Sequence, residues 1–242
     1  MEAVADASAP HTARHTARHA APHDERRPLT WLGLPRPTLR GRAHQVAFAV
    51  SIPAGAVLVV AARPGAPRLT ALIFVLGVVG LFGVSALYHL YVREGRPSAL
   101  LRRLDHSMIF VLIAASYTPF CVLAVGGPFG LALLAVVWAG ALAGIAVKMT
   151  ALAEHRWLGY GLYVILGWVA VVAMPWLIAG AGFVVMGLVA LGGVIYTAGA
   201  IVLATHRPDP KPLVFGYHEV WHSLVVVAAV CHYTAVLLLV SG

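Results

Sequence analysis

Charge is scarce in this chain. Of 242 residues, 11% are charged and only 9 are acidic, against 60% hydrophobic. That balance excludes an ordinary soluble domain, which carries about 25% charged residues. Cysteine is scarcer still. The two present, Cys121 and Cys231, both fall inside apolar runs, so no disulfide framework is expected. Basic residues outnumber acidic ones and the formal charge is +8, yet no basic motif is interleaved with aromatics as nucleic-acid binding requires. No partner of that kind is expected.

What the chain has instead is long apolar runs. Read against a hydrocarbon core about 30 Å thick, they fall at approximately 44–62, 69–92, 104–125, 128–150, 157–178, 183–204 and 217–240. Each is long enough for a helix to cross with some tilt. The expected fold class is all-α: a polytopic membrane protein built as a seven-transmembrane-helix bundle, placed in the cell's inner (plasma) membrane. With the N-terminus cytoplasmic and the C-terminus outside, all of the 17 Lys and Arg residues except Arg63 and Arg68 fall on the inner side. The positive-inside rule selects that orientation. The same basic loops would meet anionic inner-leaflet headgroups, so membrane lipids are the expected partners. Nothing in the pattern specifies an oligomeric state.

Residues 1–43 stand apart as a basic N-terminal tail. His11-Thr12-Ala13-Arg14 recurs as His15-Thr16-Ala17-Arg18, in a composition too polar to order itself. Those histidines could take a metal weakly, but a solvated tail is the preferred reading. No apolar stretch precedes residue 44, so no cleavable signal is expected, and Trp31 could rest at the interface. Pro53, Pro119 and Pro175 should kink the first, third and fifth helices, with Ser116 and Thr118 bonding a carbonyl freed beside Pro119. Gly140 and Gly144 form a G-x-x-x-G suited to close packing within the bundle or to dimerisation.

Three polar patterns border these runs: Ser85-Ala86-Leu87-Tyr88-His89, Asp105-His106, and His218-Glu219-Val220-Trp221-His222. Spacing of i, i+4 puts Ser85 with His89, and His218 with His222, on single helix faces. His89 closes the second span, Asp105 opens the third and His218 and His222 open the seventh, so all share one membrane face. Ionisable groups at such depth are costly and commonly functional. Taken singly, each reads as an interfacial histidine or a helix cap. Together they suit a metal: His89, His218 and His222 as three ligands, with the fourth position open as in catalytic zinc sites. Zinc there would bring the pKa of bound water to about 7. Asp105 would handle the proton, and Ser85 would donate to developing oxyanion charge. A closed structural zinc with Asp105 as fourth ligand is the other reading. Three imidazoles also suit other divalent metals.

The remaining histidines rank lower on sequence grounds. His106 points about 100° from Asp105, His232 falls well beyond His222, and His44, His155 and His206 lie at span edges or in loops. Lys148 should snorkel to the headgroups, and Glu219, off the His218/His222 face, should turn toward a loop. His218–His222 also satisfies H-E-x-x-H, the metalloprotease signature. No H-x-x-G-x-x-H continuation follows and nothing acidic lies beyond Glu219, which speaks against a protease.

The chain resembles the bacterial hemolysin III family, within the progestin and adipoQ receptor superfamily. The likeness rests on Leu39-Arg40-Gly41 with His44, Ser-Ala-Leu-Tyr-His at 85–89, Leu104-Asp105-His106, Ser116-Tyr117-Thr118-Pro119-Phe120, and His218–His222. It covers about residues 39–240. The resemblance implies seven helices with an inner N-terminus, and zinc on His89, His218 and His222 with Asp105 and Ser85 in support. Similarity of that superfamily to membrane ceramidases implies hydrolysis of a lipid amide or ester. The expected function is therefore a zinc-dependent lipid hydrolase facing the cytoplasmic leaflet. The alternatives are a pore-forming cytolysin, as the family's name suggests, or a lipid-responsive sensor whose zinc is structural.

Overall fold

A computed structural model describes residues 36–93, 98–150 and 156–242, the side chains of 92, 93 and 156–158 excepted. The bulk of the tail, with Trp31 and His155, therefore lies outside the described residues. The fold among the described residues is all-helical: α1 (Arg42–Ala61), α2 (Ala66–Arg93), α3 (Ala99–Pro119), α4 (Gly127–Met149), α5 (Arg156–Trp168), α6 (Met174–Thr205) and α7 (Tyr217–Ser241). Among the described residues, six helical segments are long and apolar enough to cross a membrane, the stretch Gly159–Thr205 counting as one. Consecutive helices pack on one another, and α7 returns to α1, so the bundle closes on itself. Its outer surface is apolar. Val60 and Phe183 are each 78% exposed, which suits a lipid surround rather than water.

Proline acts at the expected places, in ways the pattern does not specify. α1 runs through Pro53. Pro119 ends α3, and the chain continues as a π-helical turn over Phe120–Val125, because a residue without N–H makes the ladder slip. Thr118 Oγ1 donates to the Ala114 carbonyl at 2.9 Å. Ahead of Pro175, α5 gives way to a 3₁₀ stretch over Val169–Ala173. The Tyr117 hydroxyl takes up the backbone groups released there, accepting from Ala170 N–H at 2.6 Å and donating to the Gly167 carbonyl at 2.8 Å. No bilayer water would satisfy them.

Two boundaries differ from the sequence reading. α3 starts at Ala99, with the Ser98 side chain accepting from Leu101 N–H, so Asp105 lies well inside the helix and is not its cap. The gap expected at 179–182 contracts to one residue. Only Gly182 leaves helical geometry, at φ 80°, ψ 170°, a conformation open to glycine. The chain reverses there: Trp168 Nε1 donates to Thr197 Oγ1 at 3.1 Å, whereas an unbroken helix would hold those residues roughly 40 Å apart. Gly140 and Gly144 serve packing within the chain. A Cβ on Gly140 would come within 2.9 Å of Leu166, and one on Gly144 would overlap the Phe110 ring.

Lys148 corrects another expectation. It does not snorkel: it is buried, with its ammonium 5.6 Å from the centre of the Tyr163 ring. That distance is within cation–π range.

Candidate metal centre

The start of α1, the end of α2, the first turns of α3 and the start of α7 meet at one end of the bundle. Their junction is built around Gly41 and Glu219. Gly41 caps α1 at φ 78° and lies flat against His89, leaving no room for a Cβ. Glu219 is buried; it accepts from Gly216 N–H at 2.8 Å and pairs with Arg40 Nε. It thus faces the segment before α1 and is removed from solvent. Thr38 and Leu39 donate backbone hydrogen bonds to the Leu213 and Val214 carbonyls. Residues 36–41, which composition groups with the tail, are in this way tied to the loop before α7.

This scaffold brings His89, His218 and His222 together. One ring nitrogen from each lies within 4.8 Å of the others, and the ring centroids are separated by 4.5 to 5.2 Å. Both nitrogens of His89 and His222, and Nε2 of His218, are buried without a hydrogen-bond partner among the described residues. Buried polar atoms of that kind call for a partner. Neutral imidazoles converging without acceptors are a donor set suited to a divalent ion. The residues present therefore fit a metal.

Sequence reasoning undervalued His44. It is buried, its ring stacks on His222 at 3.8 Å between centroids and 9° between planes, and its Nδ1 is 2.8 Å from Ser85 Oγ. The usable signal was depth: His44 opens the first span at the same membrane face as the others. Ser85 and Asp105 are buried too, and both line the same cavity. His106 contributes its carbonyl, which accepts from Tyr163 OH at 2.8 Å. His232 bonds within the core, to the Val189 carbonyl.

An internal cavity of about 330 Å³ begins at His44, Ser85 and Asp105 and runs through the bundle to His232 and Met186. Its walls are mainly apolar, and it falls within the range of small-molecule sites. The three converging imidazoles are not among its lining residues. Gly167, Trp168, Val171 and Val194 line it and are also exposed on the outer surface.

Comparison with known proteins places these features. Residues 32–233 match the family model described as "Haemolysin-III related". The hemolysin-3 homolog of Bacillus subtilis is 34% identical over 189 residues, covering 76% of this chain and 84% of that protein. Hemolysin-3 of Bacillus cereus is 32% identical, with 76% and 82% covered. The heptahelical transmembrane protein ADIPOR2 of Oryza sativa is 30% identical, covering 71% and 82%. On that match and its apolar helices, the chain belongs to the haemolysin-III related family and is a multi-pass integral membrane protein.

Proposed function

We propose that this protein is a zinc-dependent membrane hydrolase of a lipid amide or ester. The observation that carries the reading is three converging imidazoles with buried nitrogens unpartnered among the described residues, joined through His44, which stacks on His222 and bonds Ser85, to an apolar cavity that Ser85 and Asp105 line. His89, His218 and His222 would hold the ion, which when bound would supply Lewis acidity toward a carbonyl and toward water. Asp105 would accept and return the proton at its carboxylate. Ser85 Oγ, oriented by His44 Nδ1, would donate to oxygen as negative charge develops. The cavity would take an acyl chain, each buried methylene favouring binding by about 0.8 kcal/mol, and the exposed rim at Trp168 and Val194 would admit it from the bilayer.

The topology belongs to the same proposal. The reversal at Gly182 would divide Gly159–Thr205 into two crossings and make seven in all, as the rice relative's printed name also has it. Arg36, Arg42, Arg102, Arg103, Arg207 and Lys211 would then face anionic inner-leaflet headgroups at the end that holds the histidines. The N-terminus would be cytoplasmic and the C-terminus outside.

A second reading, a lipid-responsive sensor with structural zinc, is favoured by one fact: the cavity stops short of the imidazoles. A pore is favoured only by the printed names of the Bacillus relatives; the apolar cavity walls argue against a water path. Purified protein incubated with labelled ceramides and phospholipids, with and without chelator, separates these. Turnover that disappears with the metal supports the hydrolase. Lost thermal stability without turnover supports the sensor, and dye release from liposomes that survives His218→Ala supports the pore.

A further inference from the structure

The far end of the cavity holds a polar pair that this chemistry leaves unused. His232 lies on α7 roughly 15 Å along the helix from His222. Its Nε2 donates to the Val189 carbonyl at 3.3 Å, which assigns the proton to that nitrogen and leaves Nδ1 a bare acceptor. The ring edge formed by Cδ2 and Nε2 is seated over Gly192, where any Cβ would overlap it. Nδ1 is on the opposite edge. Tyr196 stands edge-on to the imidazole, 5.4 Å between centroids. Tyr196 OH and His232 Nδ1 are buried, neither has a hydrogen-bond partner among the described residues, and both side chains line the cavity. Two orphaned groups in one apolar place carry a full desolvation cost until something joins them.

We infer that Tyr196 and His232 form a hydroxyl-binding site that selects a lipid chain hydroxylated partway along its length. The complementarity is chemical. One group needs an acceptor and the other a donor, and an alcohol supplies both from a single oxygen. A ketone would leave His232 bare, and an unsubstituted or unsaturated chain would satisfy neither. The neighbours Met186, Val189, Ala190 and Val225 are apolar, so what passes between them is alkyl chain rather than headgroup. The inference rests on reading the cavity as an acyl-chain site and adds the identity of the chain.

The test is binding, measured without turnover. The full chain in nanodiscs would be loaded with a fluorescent fatty acid and competed with octadecanoic acid and a positional series of its monohydroxy derivatives. A hydroxyl at one mid-chain position should improve competition by about tenfold, as two added hydrogen bonds allow. Tyr196→Phe and His232→Phe should each remove most of that gain, read as the ratio of hydroxylated to plain acid within each variant, with circular dichroism of each variant as the control for folding. His232→Asn, which keeps an acceptor, should recover part of it. Equal competition across the series overturns the inference and assigns a water to the pair, with the hydrolase reading untouched. A preference that persists in both Phe variants overturns it as well. Hydroxyl selection without any turnover would uphold this site and sink the hydrolase alone. Failure of every acid to bind would remove both.

Discussion

Replacing Gly41 by alanine tests whether the turn before α1 positions the metal centre. Gly41 has φ 78° and Gly65 has φ 89°, so alanine at either forces a left-handed residue and costs about 1–2 kcal/mol. The two differ in their surroundings. At Gly65 nothing lies within 4 Å of a new Cβ, whereas at Gly41 the Cβ would overlap His89 Cβ and come within 2.9 Å of Cγ and 3.2 Å of Cδ2. His89 is buried at 3% exposure and cannot swing clear. Overpacking of that kind adds about 1–3 kcal/mol, so Gly41→Ala should be the more destabilising by that amount. The displaced imidazole should also lower bound metal. Equilibrium unfolding in mixed micelles and elemental analysis of both variants beside wild type read the two effects. Equal stability of Gly41→Ala and Gly65→Ala, with metal unchanged, would refute the argument that this turn seats His89.

Other perturbations address the site from different sides. His89→Ala and His222→Ala should abolish bound metal in elemental analysis, whereas His44→Ala should retain it, since His44 stacks on the cluster without joining it. Chelation should lower the unfolding temperature, because an ion at a hundred times its dissociation constant stabilises the folded state by about 2.7 kcal/mol. Glu219→Ala should cost about 3–5 kcal/mol by stranding the Arg40 guanidinium. The Arg40→Ala, Glu219→Ala double variant should cost less than the sum of the single ones in a denaturation cycle. Ser241→Cys should react with an impermeant thiol reagent from outside intact cells and Asp209→Cys should not, as the proposed orientation requires.

Much of the site was legible because it follows from helix period and depth. Spacing of i, i+4 placed His218 and His222 on one face, and His89 fell at the same level at the end of another span. His44 escaped for the same reason in reverse: an edge position says nothing about which way a ring turns, and only the packing of α1 against α7 shows it stacked on His222. Lys148 failed differently. Snorkelling is a rule for side chains facing lipid, and the sequence does not reveal that this face of α4 meets Tyr163. The sequence sends Glu219 toward a loop but does not name its partner, Arg40, which the turn before α1 supplies.

The sequence alone determined that the chain is helical and lives in a membrane, because apolar run length and scarcity of charge are local properties that the bilayer reads directly. It also ordered the polar groups by depth along each helix. Tertiary structure decided what lies across from what: the close seat of Gly41 on His89, the reversal of the chain at Gly182, and the cavity joining Asp105 to His232. Depth is a one-dimensional quantity carried by residue number, whereas convergence depends on how helices rotate and approach, which many distant side chains settle together.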